Sequence, residues 1–187
     1  DRHAEQVQLV RDAVDRDRVE RGIRHHDQRV ALGCGVTLVG GLDVALEHAS
    51  PVMTVADIGT GYGPIAVELV HRGLADRAVA TDVDSVALWL ADLNARRNRV
   101  EVESVWGEDP LVAGPTELTV CNVPTHIDAA HTAKFMDGLL ARTRSGRLLA
   151  VVHRSLELRY LEHVRRAGAS GRVHRGQRHV VLDVGVR

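Results

Sequence analysis

Three glycines at alternate positions follow an acidic residue in the segment of the chain best suited to bind a ligand. Asp57 ends an apolar run, and Gly59, Gly61, Gly63 and Pro64 come after it. Glycine permits a tight turn with positive φ and lets the backbone approach a ligand that a side chain would obstruct. Proline suits the first turn of a helix, where its missing N–H costs nothing. The segment therefore predicts a strand, a ligand-binding loop and a helix in succession.

The spacing of these glycines indicates what the loop would bind. Dinucleotide-binding loops read G-x-G-x-x-G and place a pyrophosphate at the helix N-terminus. This loop reads G-x-G-x-G with Asp57 before it, and no Gly-Lys-Ser/Thr of a Walker loop follows. A positively charged cofactor without phosphate tolerates the nearby carboxylate, so the pattern favours such a cofactor.

A second apolar run ends in Asp82, which lies 25 residues after Asp57. An acid at the end of the neighbouring strand can accept hydrogen bonds from both hydroxyls of a ribose. The alternative is that Asp82 or Asp84 caps the following helix, as Ser85 could also do. We predict the ribose role for Asp82.

A third apolar run, at residues 118–121, leads into Asn122, Val123 and Pro124. The carboxyl ends of strands in an open α/β sheet are where ligands bind. We therefore predict Asn122 and Pro124 at the reaction site, although Asn122 could simply be a turn residue before the proline.

Two histidines and an acid close to this run have a spacing that can bind metal. His126, Asp128 and His131 form H-x-D-x-x-H, but the sequence offers no third strong ligand with a recognisable spacing. We predict no metal and keep His126 as a candidate general base.

Strand and helix patterns alternate from residue 53 to the C-terminus. We predict strands at 53–58, 77–81, 100–105, 118–121 and 148–153, helices at 64–73, 85–98, 130–143 and 157–167, and a final strand pair joined at Gly176. Such alternation is typical of an α/β fold with a doubly wound, mainly parallel sheet. The last pair predicts an antiparallel C-terminal hairpin.

The first 50 residues do not follow this alternation. Residues 4–21 predict a weakly amphipathic helix, and the glycine-rich residues 33–41 could line a cofactor pocket or pack at a homodimer interface. We therefore divide the chain into an N-terminal helical and glycine-rich extension, 1–50, and a cofactor-binding domain, 51–187.

Composition bounds the class of protein. The 187 residues are 44% hydrophobic and contain no run of 18 apolar residues, and the N-terminus is charged. We expect a cytoplasmic protein with no membrane contact. Cys34 and Cys121 are too few for a disulfide framework or a zinc site, so both are expected to be reduced, buried thiols.

Positive charge is concentrated near the C-terminus. Residues 138–187 carry eleven arginines and a local net charge of +8, against −1 for the whole chain. Arginine-rich faces bind polyanions through phosphate contacts. The C-terminal third is therefore a candidate RNA-binding face, unless its arginines are scattered over solvated surfaces.

Four segments together resemble a known family. DIGTGYGP at 57–64, TDVDS at 81–85, VWGEDPL at 105–111 and CNVPTH at 121–126 are similar to successive motifs of class I S-adenosylmethionine-dependent methyltransferases. The closest resemblance is to the small-domain family that contains bacterial guanine-N2 ribosomal RNA methyltransferases, and it covers residue 55 to the C-terminus. The resemblance implies a Rossmann-like fold and S-adenosylmethionine as the cofactor.

The resemblance also implies roles for the residues singled out above. It implies that Gly59, Gly61 and Gly63 line the amino-acid end of the cofactor, that Asp82 binds the ribose, and that Glu108 or Asp109 lies beside the adenine. Asp57 and Asn122 complete the set of expected cofactor-binding residues.

The segment at 122–125 resembles the Asn-Pro-Pro-Phe/Tyr motif of amino-group methyltransferases. That motif implies that Asn122 and the following carbonyl accept hydrogen bonds from the target nitrogen. Val123 in place of the first proline keeps the carbonyl. Thr125 in place of the aromatic residue removes a surface on which a base could stack.

The sequence therefore predicts an N-methyltransferase that modifies a nucleobase, with ribosomal RNA as the expected substrate. One alternative is a methyltransferase acting on a small molecule or a protein amine. Another is a non-catalytic module that binds S-adenosylmethionine.

Overall fold

A computed structural model describes residues 45–124, 128–144 and 146–185. Its strands are β1 (Val52–Ile58), β2 (Ala75–Asp82), β3 (Val102–Trp106), β4 (Leu118–Asn122), β5 (Arg147–His153), β6 (Gly171–Arg175) and β7 (His179–Val184). Its helices are α1 (Pro64–His71), α2 (Ser85–Asn98), α3 (Ala129–Ala141) and α4 (Glu157–Arg166). Short 3₁₀ turns lie at Pro110–Ala113, Arg142–Arg144 and Arg154–Leu156.

The seven strands form one sheet in the order β3-β2-β1-β4-β5-β7-β6. All pairs from β3 to β5 are parallel, whereas β7 runs antiparallel to both β5 and β6. The predicted mainly parallel α/β sheet with an antiparallel C-terminal hairpin is confirmed. The chain moves outward from β1 to β3 and then returns to place β4 on the other side of β1. Open sheets bind ligands at such a reversal, beyond the carboxyl ends of the strands.

Helices cover both faces of the sheet because neighbouring strand residues point to opposite sides. Val55 belongs to the core cluster that includes Ala66 and Leu69 of α1, and the adjacent Ala56 belongs to the cluster that includes Met136 of α3 and Tyr160 of α4. Burial on both faces makes the central strands largely apolar. This is why residues 148–152 are recognisable as a continuous apolar run.

Local signals set several element boundaries. Asp84 begins α2 by accepting a hydrogen bond from the Val86 N–H, and Arg99 ends the helix in the left-handed conformation at φ 57°. The Val100 N–H then bonds to the Ala95 carbonyl. This closing turn explains why β3 begins at residue 102, two residues later than predicted.

Several predictions fall outside the described residues: the helix at 4–21, the role of residues 33–41, and the state of Cys34. Cys121 is buried, as predicted, and forms no disulfide with a described residue. Ala45 and Leu46, within a helical turn at 45–48, pack into the α1-side core cluster. The division at residue 50 stays a prediction, and so does the homodimer.

No helix in the described ranges is long and apolar enough to cross a membrane.

Candidate active site

A cleft of about 1300 Å³ lies at the carboxyl ends of the central strands. Its walls come from the ends of β1, β2, β4 and β5, the start of β7, the segment 107–111 and one side of α3. Small-molecule sites usually have volumes of roughly 300–1000 Å³. The cleft therefore has room for a cofactor together with part of an acceptor.

The glycine loop reaches the cleft beside β1 at Gly59. Gly59, Gly61 and Gly63 have φ values of 70°, 58° and 85°. Gly59 lines the cleft, and a Cβ at this position would have no atom within 4 Å. A side chain there would therefore project into open space beside the loop, where its absence leaves room for a ligand.

Gly63 has a different role from Gly59. A Cβ on Gly63 would lie 2.9 Å from the Cβ of Ala91, so glycine here lets the start of α1 pack closely against α2. Neither Gly61 nor Gly63 lines the cleft. Their direct contact with the cofactor stays a prediction.

Asp57 lies behind the loop and does not line the cleft. Its Oδ2 accepts hydrogen bonds from the Thr60 hydroxyl at 2.7 Å and the Ala66 N–H at 3.0 Å. The side chain is fully buried, and Oδ1 has no partner among the described residues. Burial raises the pKa of Asp57 to about 6, partly offset by the hydrogen bonds from Thr60 and Ala66. Asp57 therefore holds the loop against α1, and its predicted contact with the cofactor is untested.

Asp82 connects the glycine loop to the end of β2. Its Oδ2 accepts a hydrogen bond from the Gly61 N–H at 2.8 Å, and its Oδ1 accepts one from the Asp84 N–H at 2.9 Å. Asp84, not Asp82, caps α2. Each carboxylate oxygen can accept more than one hydrogen bond, and Asp82 lines the cleft. Its geometry thus leaves it able to accept ribose hydroxyls.

The next wall of the cleft contains Glu108 and Asp109. Both side chains are exposed, and Asp109 caps the 3₁₀ turn by accepting the Leu111 N–H at 2.9 Å. Only Glu108 is free of a capping role. Their contact with the adenine stays a prediction.

A buried arginine that sequence reasoning missed holds this wall in place. Arg142 is 4% exposed and donates to the carbonyls of Pro110 and Gly114 and to the hydroxyls of Thr116 and Thr119, all at 2.7–2.8 Å. Burial lowers its pKa. The sequence contains no local signal for this role, because the bonded groups lie 23 to 32 residues away.

Asn122 and Pro124 line the cleft beside the start of the glycine loop, because Cys121 of β4 pairs with Ile58 of β1. The Val123 N–H bonds to the Val151 carbonyl, which fixes the chain just after β4. Asn122 is exposed, and its side chain has no hydrogen bond to any described residue. A carboxamide that lines the cleft and is not used by the fold is available to a substrate.

The predicted base His126 lies outside the described residues. Asp128 caps α3 and contacts the Nδ1 of His131, a residue that lines the cleft. No group of three or more metal-ligating side chains occurs within the described ranges.

Four further residues of the cleft were missed by sequence reasoning. Phe135, the one phenylalanine of the chain, supplies an aromatic ring on the α3 wall, and Lys134 lies beside it. His153 and His179 lie where β5 ends and β7 begins. Phe135 and Lys134 carry no motif, and the histidines are recognisable as neighbours only once β7 is known to pair with β5.

The fold and the cleft define a Rossmann-like α/β protein with a ligand-binding cleft where its strand order reverses. Residues 41–182 match the model of the family described as methyltransferase small domain, and the chain belongs to this family. The family assignment confirms the predicted enzyme class and the cofactor.

Individual relatives agree with this assignment. The ribosomal protein L11 methyltransferase of Caldicellulosiruptor bescii is 38% identical over 106 residues, which cover 54% of this chain and 34% of that protein. The protein of the same name from Thermus thermophilus is 31% identical over 106 residues, covering 56% and 41%. The chain thus spans about two-fifths or less of the length of these relatives. The fold is similar to that of a methyltransferase from Pyrococcus furiosus, with a TM-score of 0.67, 17% identity, and coverage of 81% of this chain and 84% of that one.

The residues of the cleft fit S-adenosylmethionine. The open space at Gly59 and the accessible carboxylate of Asp82 suit a ligand with a ribose and no phosphate. Bound S-adenosylmethionine supplies a methyl group on a sulfonium, which is already a good leaving group. The protein then has to hold an acceptor in line with the methyl group and exclude water.

Proposed function

We propose that this protein transfers a methyl group from S-adenosylmethionine to a nitrogen of a nucleobase in structured RNA, with ribosomal RNA as the expected substrate. The observation that carries the proposal is that Asn122, whose carboxamide the fold does not use, lines the cleft together with His153 and His179, each of which adjoins an exposed arginine. The carboxylates of Asp82 and Glu108 suit a cationic cofactor, and the adjoining arginines suit a polyanionic acceptor.

Not every arginine of the C-terminal third is free to bind an anion. Four of them form ion pairs with acids of the same chain, and a fifth is buried: Arg147 pairs with Asp183, Arg175 with Glu157, Arg165 and Arg166 with Glu162, and Arg142 is buried. Arg154 and Arg178 are exposed, have no ion pair within the described ranges, and adjoin cleft residues. These two arginines are the ones that support RNA binding next to the reaction site.

Asn122 supports transfer to nitrogen. Its carboxamide oxygen can accept a hydrogen bond from an N–H of the acceptor and so direct the nitrogen lone pair towards the methyl group. Phe135 offers the aromatic surface that the motif lacks at Thr125, and stacking on such a ring tolerates any base.

A second candidate is transfer to a protein amine. It is favoured by the matched relatives, which are named ribosomal protein L11 methyltransferases. The matches cover about two-fifths or less of those proteins, so they bear on the cofactor domain more than on acceptor choice. The small-molecule acceptor and the non-catalytic module stay as alternatives.

The test uses methyl-labelled S-adenosylmethionine with three acceptor pools: deproteinised ribosomal RNA, ribosomal proteins and small-molecule extract. We expect label in RNA, and a loss of at least about 100-fold in Asn122→Ala, since a catalytic hydrogen bond contributes several kcal/mol. Cofactor binding should weaken far less than activity. Asn98→Ala is the matched control, because Asn98 bonds to the Asn94 carbonyl at the far end of α2.

Label in ribosomal protein and not in RNA would show that the acceptor is a protein amine. Cofactor binding without label in any pool would favour the non-catalytic module. Full activity in Asn122→Ala would show that Asn122 does not orient the acceptor nitrogen.

A further inference from the structure

Two histidine side chains meet in the cleft where β5 ends and β7 begins. His153 is the last residue of β5, His179 is the first residue of β7, and the two are cross-strand partners. Because β7 is antiparallel to β5, its beginning lies at the same sheet edge as the end of β5. The rings are edge to face with centroids 5.8 Å apart, and both line the cleft.

The surroundings of each ring determine which nitrogen carries the proton. The Ser155 N–H donates to Nδ1 of His153 at 3.3 Å, and the Ser155 hydroxyl lies 2.7 Å from the same atom. Nδ1 therefore accepts, and the proton of neutral His153 lies on Nε2.

Nδ1 of His179 is buried and has no hydrogen-bond partner among the described residues. A buried N–H without an acceptor is rarer than an unsatisfied acceptor. The proton of neutral His179 is therefore expected on Nε2, the nitrogen left to contact the cleft. Both rings then offer N–H donors.

Two exposed arginines adjoin this pair. Arg178 directly precedes His179, Arg154 directly follows His153, and the Arg154 N–H bonds to the Arg178 carbonyl at 2.9 Å. Neither guanidinium has an ion pair in the described part of the chain. The cluster thus offers four donor groups and no carboxylate, which is the chemistry of an anion site.

We propose that His153, His179, Arg154 and Arg178 form a subsite for a phosphodiester of the RNA acceptor. The inference rests on the proposed function and extends it, since it names the group that positions the RNA backbone beside Asn122. Phosphate contacts of this kind fix the position of a nucleic acid without reading its sequence.

Binding of phosphate at the subsite has a consequence for His179. Burial, followed by the neighbouring His153 and Arg178, lowers the pKa of His179. These are the titratable and charged groups that act on the ring. A bound phosphate would stabilise the imidazolium and raise this pKa, so phosphate binding should strengthen as the pH falls from 7 towards 6.

The experiment measures binding of a short mixed-sequence oligoribonucleotide by fluorescence anisotropy at several salt concentrations. The native chain is compared with Arg154→Ala/Arg178→Ala. The control is Arg144→Ala/Arg172→Ala, which removes the same amount of charge. These two exposed arginines lie at the ends of the strands that face away from the cleft. Retained S-adenosylhomocysteine binding shows that each variant is folded.

We expect the cleft variant to bind at least about 10-fold more weakly, and the slope of log K against log salt to fall by about 1. The control should stay within about twofold of the native chain. In NMR titrations of the histidine rings, the oligoribonucleotide should raise the pKa of His179 in the native chain and not in the cleft variant.

Equal weakening in both double variants would overturn the subsite, because the effect would then be general electrostatics. Equally tight, arginine-dependent binding of an acidic peptide would also overturn the phosphodiester assignment. A chain that binds the oligoribonucleotide through these arginines but labels only protein would keep the subsite and contradict the proposed RNA methylation.

Discussion

Three acids at the ends of β1 and β2 have separate tasks. Asp57 is buried and tethers the glycine loop, Asp82 joins that loop to the cleft, and Asp84 caps α2. Sequence spacing placed Asp57 and Asp82 at strand ends and left the cap of α2 open between Asp82 and Asp84. It could not decide between these tasks, because each depends on which backbone N–H groups the fold brings within reach.

Asp57 gives a testable pH dependence. Its pKa is raised from 3.8 to about 6 in the folded protein, so the folded state binds the proton more tightly than the unfolded state. The resulting cost to stability is absent below the unfolded pKa, grows as the pH rises, and is complete above about 6. A shift of this size corresponds to roughly 3 kcal/mol.

Asp57→Asn removes the titration. In urea unfolding at pH 5 and pH 7, the stability of the variant relative to the native chain should rise by about 1–2 kcal/mol with pH. Other groups also make the stability depend on pH, and some act in the opposite direction, such as Asp183, whose pKa is lowered by Arg147. Their contributions cancel when the variant is compared with the native chain at each pH. A relative stability that is the same at both pH values would mean that Asp57 does not titrate as described.

The strands and helices were the most predictable part of the molecule. The bounds of α2 match the prediction, because an acidic cap and a left-handed residue both lie close to the helix in sequence. The glycine loop was predictable for the same reason. The position of β7 between β5 and β6, and hence the meeting of His153 with His179, depends on long-range pairing that no local pattern encodes.

The 3₁₀ turn at Pro110–Ala113 depends on an element distant in sequence. Arg142 holds it through the carbonyls of Pro110 and Gly114. In Arg142→Met the aliphatic chain is kept, but these carbonyls lose their donor. We expect a loss of about 3 kcal/mol in the free energy of unfolding, since unsatisfied buried groups cost roughly 1–3 kcal/mol each.

Chemical denaturation of Arg142→Met measures this loss. Arg144→Met is the control, because Arg144 lies in the same short 3₁₀ turn as Arg142 but is exposed. Its replacement should change the free energy of unfolding by less than about 0.5 kcal/mol. Equal stability of the two variants would show that the buried hydrogen bonds do not stabilise the cleft wall.

At the scale of the whole molecule, the cleft lies where the strand order reverses and is built from both halves of the sheet. A ligand in it contacts elements that are far apart in sequence. Binding should therefore stabilise the fold as a unit.

Thermal unfolding tests this coupling. At a concentration 100 times its Kd, S-adenosylhomocysteine should add about 2.7 kcal/mol, which corresponds to roughly 5–10 °C in Tm for a domain of this size. No shift at saturating ligand would contradict binding across the two halves.

Calorimetric titration shows whether this cleft binds S-adenosylmethionine through Asp82. S-adenosylmethionine and S-adenosylhomocysteine are titrated into the native chain, Asp82→Ala and Asp84→Ala. Asp84→Ala is the matched control, because losing the cap should cost about 1 kcal/mol of stability and leave binding nearly unchanged. We predict micromolar binding to the native chain and to Asp84→Ala, weakened at least about 10-fold in Asp82→Ala. No binding of either ligand to the native chain, or undiminished binding to Asp82→Ala, would contradict the account.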